Sequence, residues 1–236
     1  MREQIAKAFF LQELELAVLF VMKGQNELFG LRLNQIEKIN EQMLYQTIFR
    51  LVKHGMLEKE DDGFKIREDI NALLEDMILA KHFMVLAFQK ENSPESYFYI
   101  GKRVVCIQSA GQQGEMFRIE AVPVDNMTEY VMNHGFCVEG IRKTEDISKQ
   151  EKIEEIPDFP FSLQEYWQEE KDVILQNEHI SSIMILYDVA SREKQNQYCI
   201  LSHQLDDYFI WCDESKEEIY PYSNQTIEAI MKGVFV

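Results

Sequence analysis

The side chains that could carry metal or redox chemistry are few and widely spaced in this sequence. Cys199 and His203 lie four residues apart in an apolar stretch. On a strand this spacing puts both side chains on one face without bringing them within chelating distance of one metal ion. Cys106, Cys137 and Cys212 show no CxxC spacing, which favours buried reduced thiols over ligands or disulfides. The sequence therefore predicts no metal site and no redox centre.

The groups that could do acid-base or phosphate chemistry lack a catalytic arrangement as well. His54 precedes the predicted helix stop at Gly55, where an imidazolium can meet the helix dipole. The other histidines have no neighbouring pattern typical of a triad. Adjacent carboxylates such as Asp206 and Asp207 fall in predicted turns and point in different directions. GQQG at 111–114 leads into a strand and not a helix, which indicates a hairpin. We predict no catalytic residue and no cofactor, and an uncharacterised enzyme remains the third hypothesis.

The charge of the chain is strongly acidic and unevenly distributed. The 236 residues carry 41 acidic and 24 basic side chains, for a formal charge of -17. Residues 1–85 hold 14 of the acidic and 11 of the basic side chains, so residues 86–236 hold the remaining 27 and 13. The negative electrostatic field of this net charge repels phosphate backbones and anionic lipids. The N-terminus lacks a signal-peptide pattern, and the longest apolar run there, 16–22, is too short to span a bilayer. We expect a cytoplasmic protein.

The first 68 residues show the element order of a winged helix. Apolar spacing predicts a helix over 3–22 that stops at Gly24, a short helix over 33–39, and a third helix after Asn40, which can cap its N-terminus. A hairpin follows, with strands at 56–57 and 64–66 around Asp61-Asp62-Gly63. Three helices and a hairpin resemble the winged-helix family over residues 3–68.

The winged-helix pattern opens two alternatives for this region. In a DNA-binding member the third helix enters the major groove, so its candidate DNA-facing residues here are Gln46, Arg50 and Lys53. These positions have little basic character. The same fold often serves only to join proteins.

The remainder of the chain predicts two halves built from a sheet and helices. A long helix is expected from 69 to 88, followed by strands at 97–100, 103–108 and 116–124 and a helix at 125–133. The charged segment 142–160, which has two prolines, reads as an exposed linker. The second half starts with a helix at 163–175, continues with strands at 182–189, 197–203, 208–212 and 218–222, and ends on a helix at 224–232. The predicted segments are 1–68, 69–141, 142–160 and 161–236.

The two halves have similar ends. VPVDNMTEYVMNHG, residues 122–135, and YPYSNQTIEAIMKG, residues 220–233, align without a gap and share a proline, an asparagine, a threonine and a glycine. Each copy has a strand that ends near proline and one amphipathic helix that follows. The pattern favours a duplicated antiparallel sheet-plus-helix element, and the predicted fold class is α+β.

Aromatic side chains give the candidate binding residues of the second half. Strand alternation prevents the side chains of neighbouring aromatic positions from all reaching one core. An exposed aromatic set rimmed by acidic residues suits a protein-binding surface. The candidate partner-binding residues are Trp167, Tyr208, Trp211 and Tyr220.

The whole architecture resembles EspG, the chaperone family of type VII secretion. The resemblance centres on ALLEDMILAKHF at 72–83 and on the helices in PVDNMTEYVMNHG and PYSNQTIEAIMKG. It implies recognition of a helical-hairpin secretion substrate in the cytosol, and it identifies no binding residue. The first hypothesis is a non-enzymatic protein-binding adaptor or chaperone. The alternative is a winged-helix transcriptional regulator whose C-terminal region senses a ligand or dimerises.

Overall fold

The protein folds into two compact units of mixed α and β structure. The computed structural model describes residues 8–31, 39–89, 93–110, 116–134, 136, 152–153, 161–203 and 206–232. One unit comprises residues 1–83 and 97–121, and the other comprises residues 84–96 and 122–236. In the described part of the chain, no helix is long and apolar enough to cross a membrane. The α+β class predicted from the sequence is confirmed.

The first unit contains three helices and six strands among the described residues. They are β1 (Phe9–Gln12), α1 (Glu13–Met22), α2 (Glu41–Lys53), β2 (Leu57–Glu60), β3 (Gly63–Ile66), α3 (Glu68–Ile78), β5 (Ser96–Ile100), β6 (Val104–Ala110) and β7 (Met116–Val122). The strand order in the main sheet of this unit is β1-β7-β6-β5, and β2 and β3 form a separate hairpin. The strand β4 (His82–Phe88) joins the second unit from residue 84 onward.

The first helix is shorter than the apolar spacing predicts. Residues 9–12 form β1, in which Phe9 and Leu11 are buried while Phe10 is half exposed. This alternation has the period of a strand, and the pairing with β7 overrides the helical pattern. The helix α1 then begins with a capping box, in which Glu15 accepts a hydrogen bond from the backbone N–H of Gln12.

The third predicted helix is present as α2, and the hairpin strands, at Leu57–Glu60 and Gly63–Ile66, are longer than the predicted 56–57 and 64–66. The Asn40 side chain accepts a hydrogen bond from the Met43 backbone N–H at 2.9 Å, and this cap starts α2. Gly55, with φ of 65°, follows the helix end in a conformation that favours glycine. The predicted helix over 33–39 lies almost entirely outside the described residues. The winged-helix interpretation therefore stays a prediction.

The predicted long helix over 69–88 is wrong in its second half. The helix α3 ends at Ile78, and residues 82–88 form β4, whose five central residues are all buried. A short, continuous apolar run has no period that separates a buried strand from a buried helix. Sheet pairing decides between them here.

A close contact between backbone and ring fixes the core of the first unit. Gly30 has φ of 77°, and a Cβ at this position would lie only 2.1 Å from the ring of Phe83. The ring of Phe83 also packs against Phe29 and Tyr99. The Tyr99 hydroxyl donates a hydrogen bond to the Phe29 carbonyl at 2.9 Å. The chain can pass this close to Phe83 only without a side chain.

The second unit is built on a five-stranded arrangement with the order β4-β8-β9-β10-β11. Its remaining elements are α4 (Met127–Asn133), α5 (Lys171–Ile174), β8 (Ile180–Asp188), β9 (Lys194–His203), β10 (Asp206–Cys212), β11 (Glu217–Pro221) and α6 (Asn224–Lys232). The pairs β8–β9, β9–β10 and β10–β11 are antiparallel. The predicted helix over 163–175 is wrong except for α5. The Gln164 backbone N–H donates instead to the Glu217 carboxylate at 2.9 Å, so a tertiary contact overrides local helical spacing.

The chain order of elements repeats. A meander of three strands, β5-β6-β7, leads through a 3-10 turn at Val124–Asn126 into α4, and the meander β9-β10-β11 leads into α6. In each copy a proline lies at the corner between strand and helix, at Pro123 and Pro221. The repeated order agrees with the predicted duplication. The segment boundaries at 68, 141 and 160 stay predictions, and the predicted linker falls outside the described residues except for Lys152 and Ile153.

Candidate protein-binding surface

Strand alternation divides the aromatic candidates of β10 and β11 between two faces. In the antiparallel register, Trp211 lies opposite Glu218, and Phe209 lies opposite Tyr220. These four side chains therefore share one face of the sheet. Tyr208 pairs with Leu201 and Pro221 and points to the other face. The structure brings Trp211 and Tyr220 together and separates them from Tyr208.

Trp211 and Tyr220 belong to a compact polar and aromatic group, which we call the Trp211 cluster. The indole Nε1–H of Trp211 donates a hydrogen bond to Asn196 Oδ1 at 3.0 Å. The Lys216 ammonium lies 4.4 Å from the centroid of the Trp211 ring, within the range of a cation–π interaction. The Tyr220 hydroxyl donates to Glu218 at 2.7 Å. The cluster comprises Asn196, Trp211, Lys216, Glu218 and Tyr220.

Glu218 is the electrostatic centre of the Trp211 cluster. Its carboxylate lies 3.3 Å from Lys216 Nζ and 3.5 Å from Lys152 Nζ. The hydrogen bond from Tyr220 and then the contact with Lys216 hold the pKa of Glu218 below its ordinary value. Burial, together with the bond to Glu218, raises the pKa of Tyr220 to about 12. At neutral pH the cluster thus presents an ionised carboxylate between two cations and a tyrosine that keeps its proton.

The aromatic side chains of the Trp211 cluster lie beside buried rings on the same face of the sheet and remain partly accessible. Phe209 stacks on Tyr198 at 6.0 Å and meets Phe136 edge-on at 6.2 Å. All three of these rings are buried, whereas Trp211 and Tyr220 are half-buried. Half-buried aromatics with satisfied polar atoms on a rigid strand are typical of protein-binding positions.

Trp167 lies in a turn that covers the opposite face. Its carbonyl accepts hydrogen bonds from Lys194 Nζ at 2.6 Å and from Gln197 Nε2 at 3.2 Å. Burial lowers the pKa of Lys194. The same segment is held at Gln164 by Glu217, whose pKa is raised because burial outweighs its hydrogen bonds. The surroundings of Trp167 therefore show a structural role for its backbone.

The cysteines of this face are packed as core residues. Cys199 and Cys212 are fully buried and free. Burial raises the pKa of the Cys199 thiol and raises the pKa of Cys212 to about 12, so both are protonated at neutral pH. Within the ranges that the structure describes, no three His, Cys, Asp or Glu side chains are grouped closely enough to hold a metal ion.

The candidate DNA-facing residues lie on α2, but their chemistry is mixed. Gln46 and Lys53 are exposed. Arg50 lies 3.4 Å from the buried carboxylate of Glu15 and donates a hydrogen bond to Thr47. The guanidinium therefore neutralises an acid of its own unit.

Two large aromatic side chains dominate the exposed face of α2. Tyr45 is 65% exposed and Phe49 is 70% exposed. Apolar rings at helical spacing i and i+4 do not contact phosphates favourably. Among the described residues of α2, Lys53 is exposed near these rings and Arg50 is engaged by Glu15, so few cations remain to neutralise a nucleic-acid backbone.

Sequence reasoning identified Trp211 and Tyr220 but missed their polar partners. Lys216 and Glu218 have counterparts in the first copy, because the alignment of the two halves extends toward the N-terminus as RIEAVP at 118–123 and KEEIYP at 216–221. The first copy forms the same contact, with Arg118 and Glu120 2.8 Å apart. This repeated pair was the available signal. The contact of Asn196 with Trp211 depends on the register between strands, so no local sequence signal could predict it.

Comparison with known proteins gives a likeness of fold. No family model matches the chain, and no curated protein matches it. Among solved structures, the chain is similar to the type VII secretion system chaperone EspG5 of Mycobacterium tuberculosis, solved in complex with a PE25–PPE41 dimer. The TM-score is 0.57 at 10% sequence identity, covering 96% of this chain and 95% of that chain. The EspG-like architecture predicted from the sequence is confirmed.

Proposed function

We propose that this protein is a non-enzymatic cytoplasmic adaptor or chaperone that binds a protein partner through the Trp211 cluster. The observation that carries the proposal is the half-buried Trp211 ring, held by Asn196 and Lys216 on a rigid strand. Such a ring offers a large contact area with little conformational entropy to lose.

The proposed partner class follows from the likeness of fold. EspG5 is a chaperone whose solved complex holds a PE25–PPE41 dimer, and the likeness extends over nearly the full length of both chains. On this basis the partner is a type VII secretion substrate, of the helical-hairpin kind that the EspG resemblance implies. The acidic excess of residues 86–236 suits a partner surface with basic residues.

The decisive experiment is reconstitution of a defined complex. The full chain, tagged in its host, is purified after crosslinking, and the recovered partner is expressed and titrated by calorimetry. We expect a stoichiometric complex that Trp211→Ala weakens at least about tenfold, because interface aromatics commonly contribute 2 kcal/mol or more, on the order of a thirtyfold change in affinity. Tyr45→Ala on α2 is the matched control and should leave the affinity unchanged.

The outcome that contradicts the proposal is equally specific. A stoichiometric complex that survives Trp211→Ala and is lost with Tyr45→Ala moves the binding surface to α2. Sequence-selective binding of duplex DNA that is lost with Lys53→Ala supports the regulator instead. We expect only weak, salt-sensitive DNA binding, since the net charge is -17.

A further inference from the structure

The helix α2 carries an apolar stripe on the side that faces away from the core of its unit. Its buried residues Thr47 and Leu51 lie on one side of the helix. At about 100° per residue, Tyr45, Phe49 and Val52 lie on the opposite side. The rings of Tyr45 and Phe49 are largely exposed, and Val52 is half-buried. A helix that is apolar on two sides has a second side to bury, and an exposed apolar stripe of this kind is typical of an interaction site.

The two ends of this stripe carry opposite charges. Glu41 begins α2 and Lys53 ends it, and both side chains are exposed. The helical rotation places them on the two flanks of the stripe that contains Tyr45 and Phe49. An acidic residue in the first turn and a basic residue in the last turn also suit the helix dipole. The dipole accounts for the two signs but not for the spacing of these charges around the rings.

That spacing is self-complementary. Tyr45 and Phe49 lie at equal distances on either side of position 47, and so do Glu41 and Lys53. When two copies of α2 pack antiparallel about a twofold axis at this level, Tyr45 of one copy lies at the level of Phe49 of the second copy. Glu41 then lies at the level of Lys53 of the second copy. A parallel arrangement would bring like charges together, so the spacing favours the antiparallel contact.

The distribution of charge along the chain also favours this unit for contact between copies. Each chain has a net charge of -17, so two copies repel one another. Residues 1–85, which include α2, hold 14 acidic and 11 basic side chains. The repulsion between copies is therefore smaller at this unit than at residues 86–236. Opposite charges at the ends of the stripe fix the register, and the aromatic rings supply contact area.

We propose that the exposed face of α2 is the contact between two copies of this chain, which associate antiparallel as an isologous dimer. The rings of Tyr45 and Phe49 form its centre, and pairs of Glu41 and Lys53 between the copies fix its register. A helix of 13 residues is about 20 Å long, which covers less than the roughly 800 Å² per partner of a standard interface. The dimer is therefore weak and forms as the protein concentration rises. This contact is distinct from the Trp211 cluster proposed for partner binding.

Sedimentation velocity of the full-length chain over a range of concentrations measures the dimer. We expect Phe49→Ala to weaken it at least about tenfold, because truncation of a central interface aromatic commonly has an effect of this size. Leu79→Ala is the matched control and should leave the dimer unchanged, since Leu79 is 75% exposed in the same unit but lies at the end of α3. Both substitutions remove exposed side chains, and circular dichroism spectra and melting temperatures confirm that the compared chains are folded.

Charge reversal tests the antiparallel register. Glu41→Lys places two lysines at one level and Lys53→Glu places two glutamates there, so each single change should weaken the dimer at least about threefold at low salt. Glu41→Lys also makes the net charge less negative, so general repulsion alone would strengthen the association. The double variant Glu41→Lys/Lys53→Glu restores opposite charges at both ends and should regain the native dimer affinity.

Other results would assign this face differently. A chain that stays monomeric up to its highest soluble concentration overturns the proposal, as does a dimer that Phe49→Ala leaves unchanged or that the double charge reversal fails to restore. If the chain is monomeric and Phe49→Ala abolishes binding of the reconstituted partner, the face belongs to that partner and the dimer is wrong. Trp211→Ala should leave the dimer intact, which separates this test from that of the proposed function. A dimer that is lost with Trp211→Ala would also contradict the proposal.

Discussion

In the first copy of the repeat, the edge strand β7 pairs with β1, whereas in the second copy the contacts described on the outer side of β11 are those of Lys152 and Ile153. The covering residues Phe9 and Leu11 are buried, and Leu11 is 1% exposed. Lys152 is exposed and Ile153 is half-buried. Burial of apolar side chains stabilises the first closure, while a hydrogen bond and an ion pair near solvent contribute little to the second. The described cover of β7 is therefore part of a core, whereas the described contacts on β11 lie near solvent.

The ion pairs of the two copies also differ in how accessible their carboxylates are to solvent. Glu120 pairs with Arg118 and is almost fully buried, and Glu218 pairs with Lys216 in a more accessible place. The first carboxylate lies 2.8 Å from Arg118, and the second contacts two lysines and the Tyr220 hydroxyl. The first pair involves a buried carboxylate, whereas the second lies nearer to solvent.

The largest expected difference is between the contributions to stability of Leu11, which packs beside β7, and of Ile153, which bonds β11. Leu11→Ala should lower the free energy of unfolding by about 3 kcal/mol, because it removes a buried side chain and leaves a cavity. Ile153→Ala should lower it by about 1 kcal/mol or less, as expected for a site outside the core. Urea unfolding followed by circular dichroism measures both. Equal losses of unfolding free energy would show that Leu11 and Ile153 stabilise the fold to the same extent.

The sequence predicted the repeated strand-to-helix corner because that corner depends on local chemistry. A proline that ends a strand and an amphipathic helix that follows can be identified residue by residue, as at Pro123 and Pro221. The opposite faces of Tyr208 and Trp211 also follow from sequence, since they are three residues apart on a strand. Alternation in the sequence predicts that some aromatic side chains lie outside one core, and the register then assigns Tyr208 and Trp211 to different faces.

The rest of the candidate surface could not be predicted because it depends on contacts distant in sequence. Asn196 and Trp211 meet only through the register of β9 and β10. The strand β4 contains an unbroken apolar run at residues 83–88, where the burial of successive side chains hides the strand period. Ile153 reaches β11 from a charged segment that reads as linker, and no local pattern marks it as an edge partner.

A smaller difference is expected between the two glutamates of the repeated pair. Glu120→Gln should reduce the free energy of unfolding by about 1 to 3 kcal/mol at neutral pH, because the charge-assisted contact between this buried carboxylate and Arg118 is weakened. Glu218→Gln should reduce it by less than about 1 kcal/mol, as is usual for accessible ion pairs. Urea unfolding at low and high salt separates the two, with exposed Glu214→Gln as control. A larger loss at Glu218 would contradict the expected difference between the two ion pairs.

The smallest expected effect concerns the pH dependence of stability, to which the adjacent carboxylates Glu217 and Glu218 should contribute with opposite signs. The pKa of Glu218 is lowered from its ordinary value of 4.5. The stability it contributes is therefore present above 4.5 and is lost as the pH falls through the lowered pKa. The pKa of Glu217 is raised from 4.5, so its contribution is present below 4.5 and is lost as the pH rises through the raised pKa.

Glutamine at either position removes the titration and keeps an acceptor oxygen. Between about pH 3 and about pH 7, Glu218→Gln should lose stability relative to the native chain as the pH rises, and Glu217→Gln should gain it. Urea midpoints measured across this range give the two differences directly. Slopes of the same sign would mean that the two carboxylates share one environment, although alternation puts them on opposite faces of β11. Opposite slopes would show that Glu217 acts inside the fold, at Gln164, while Glu218 acts nearer to solvent, between Tyr220 and Lys216.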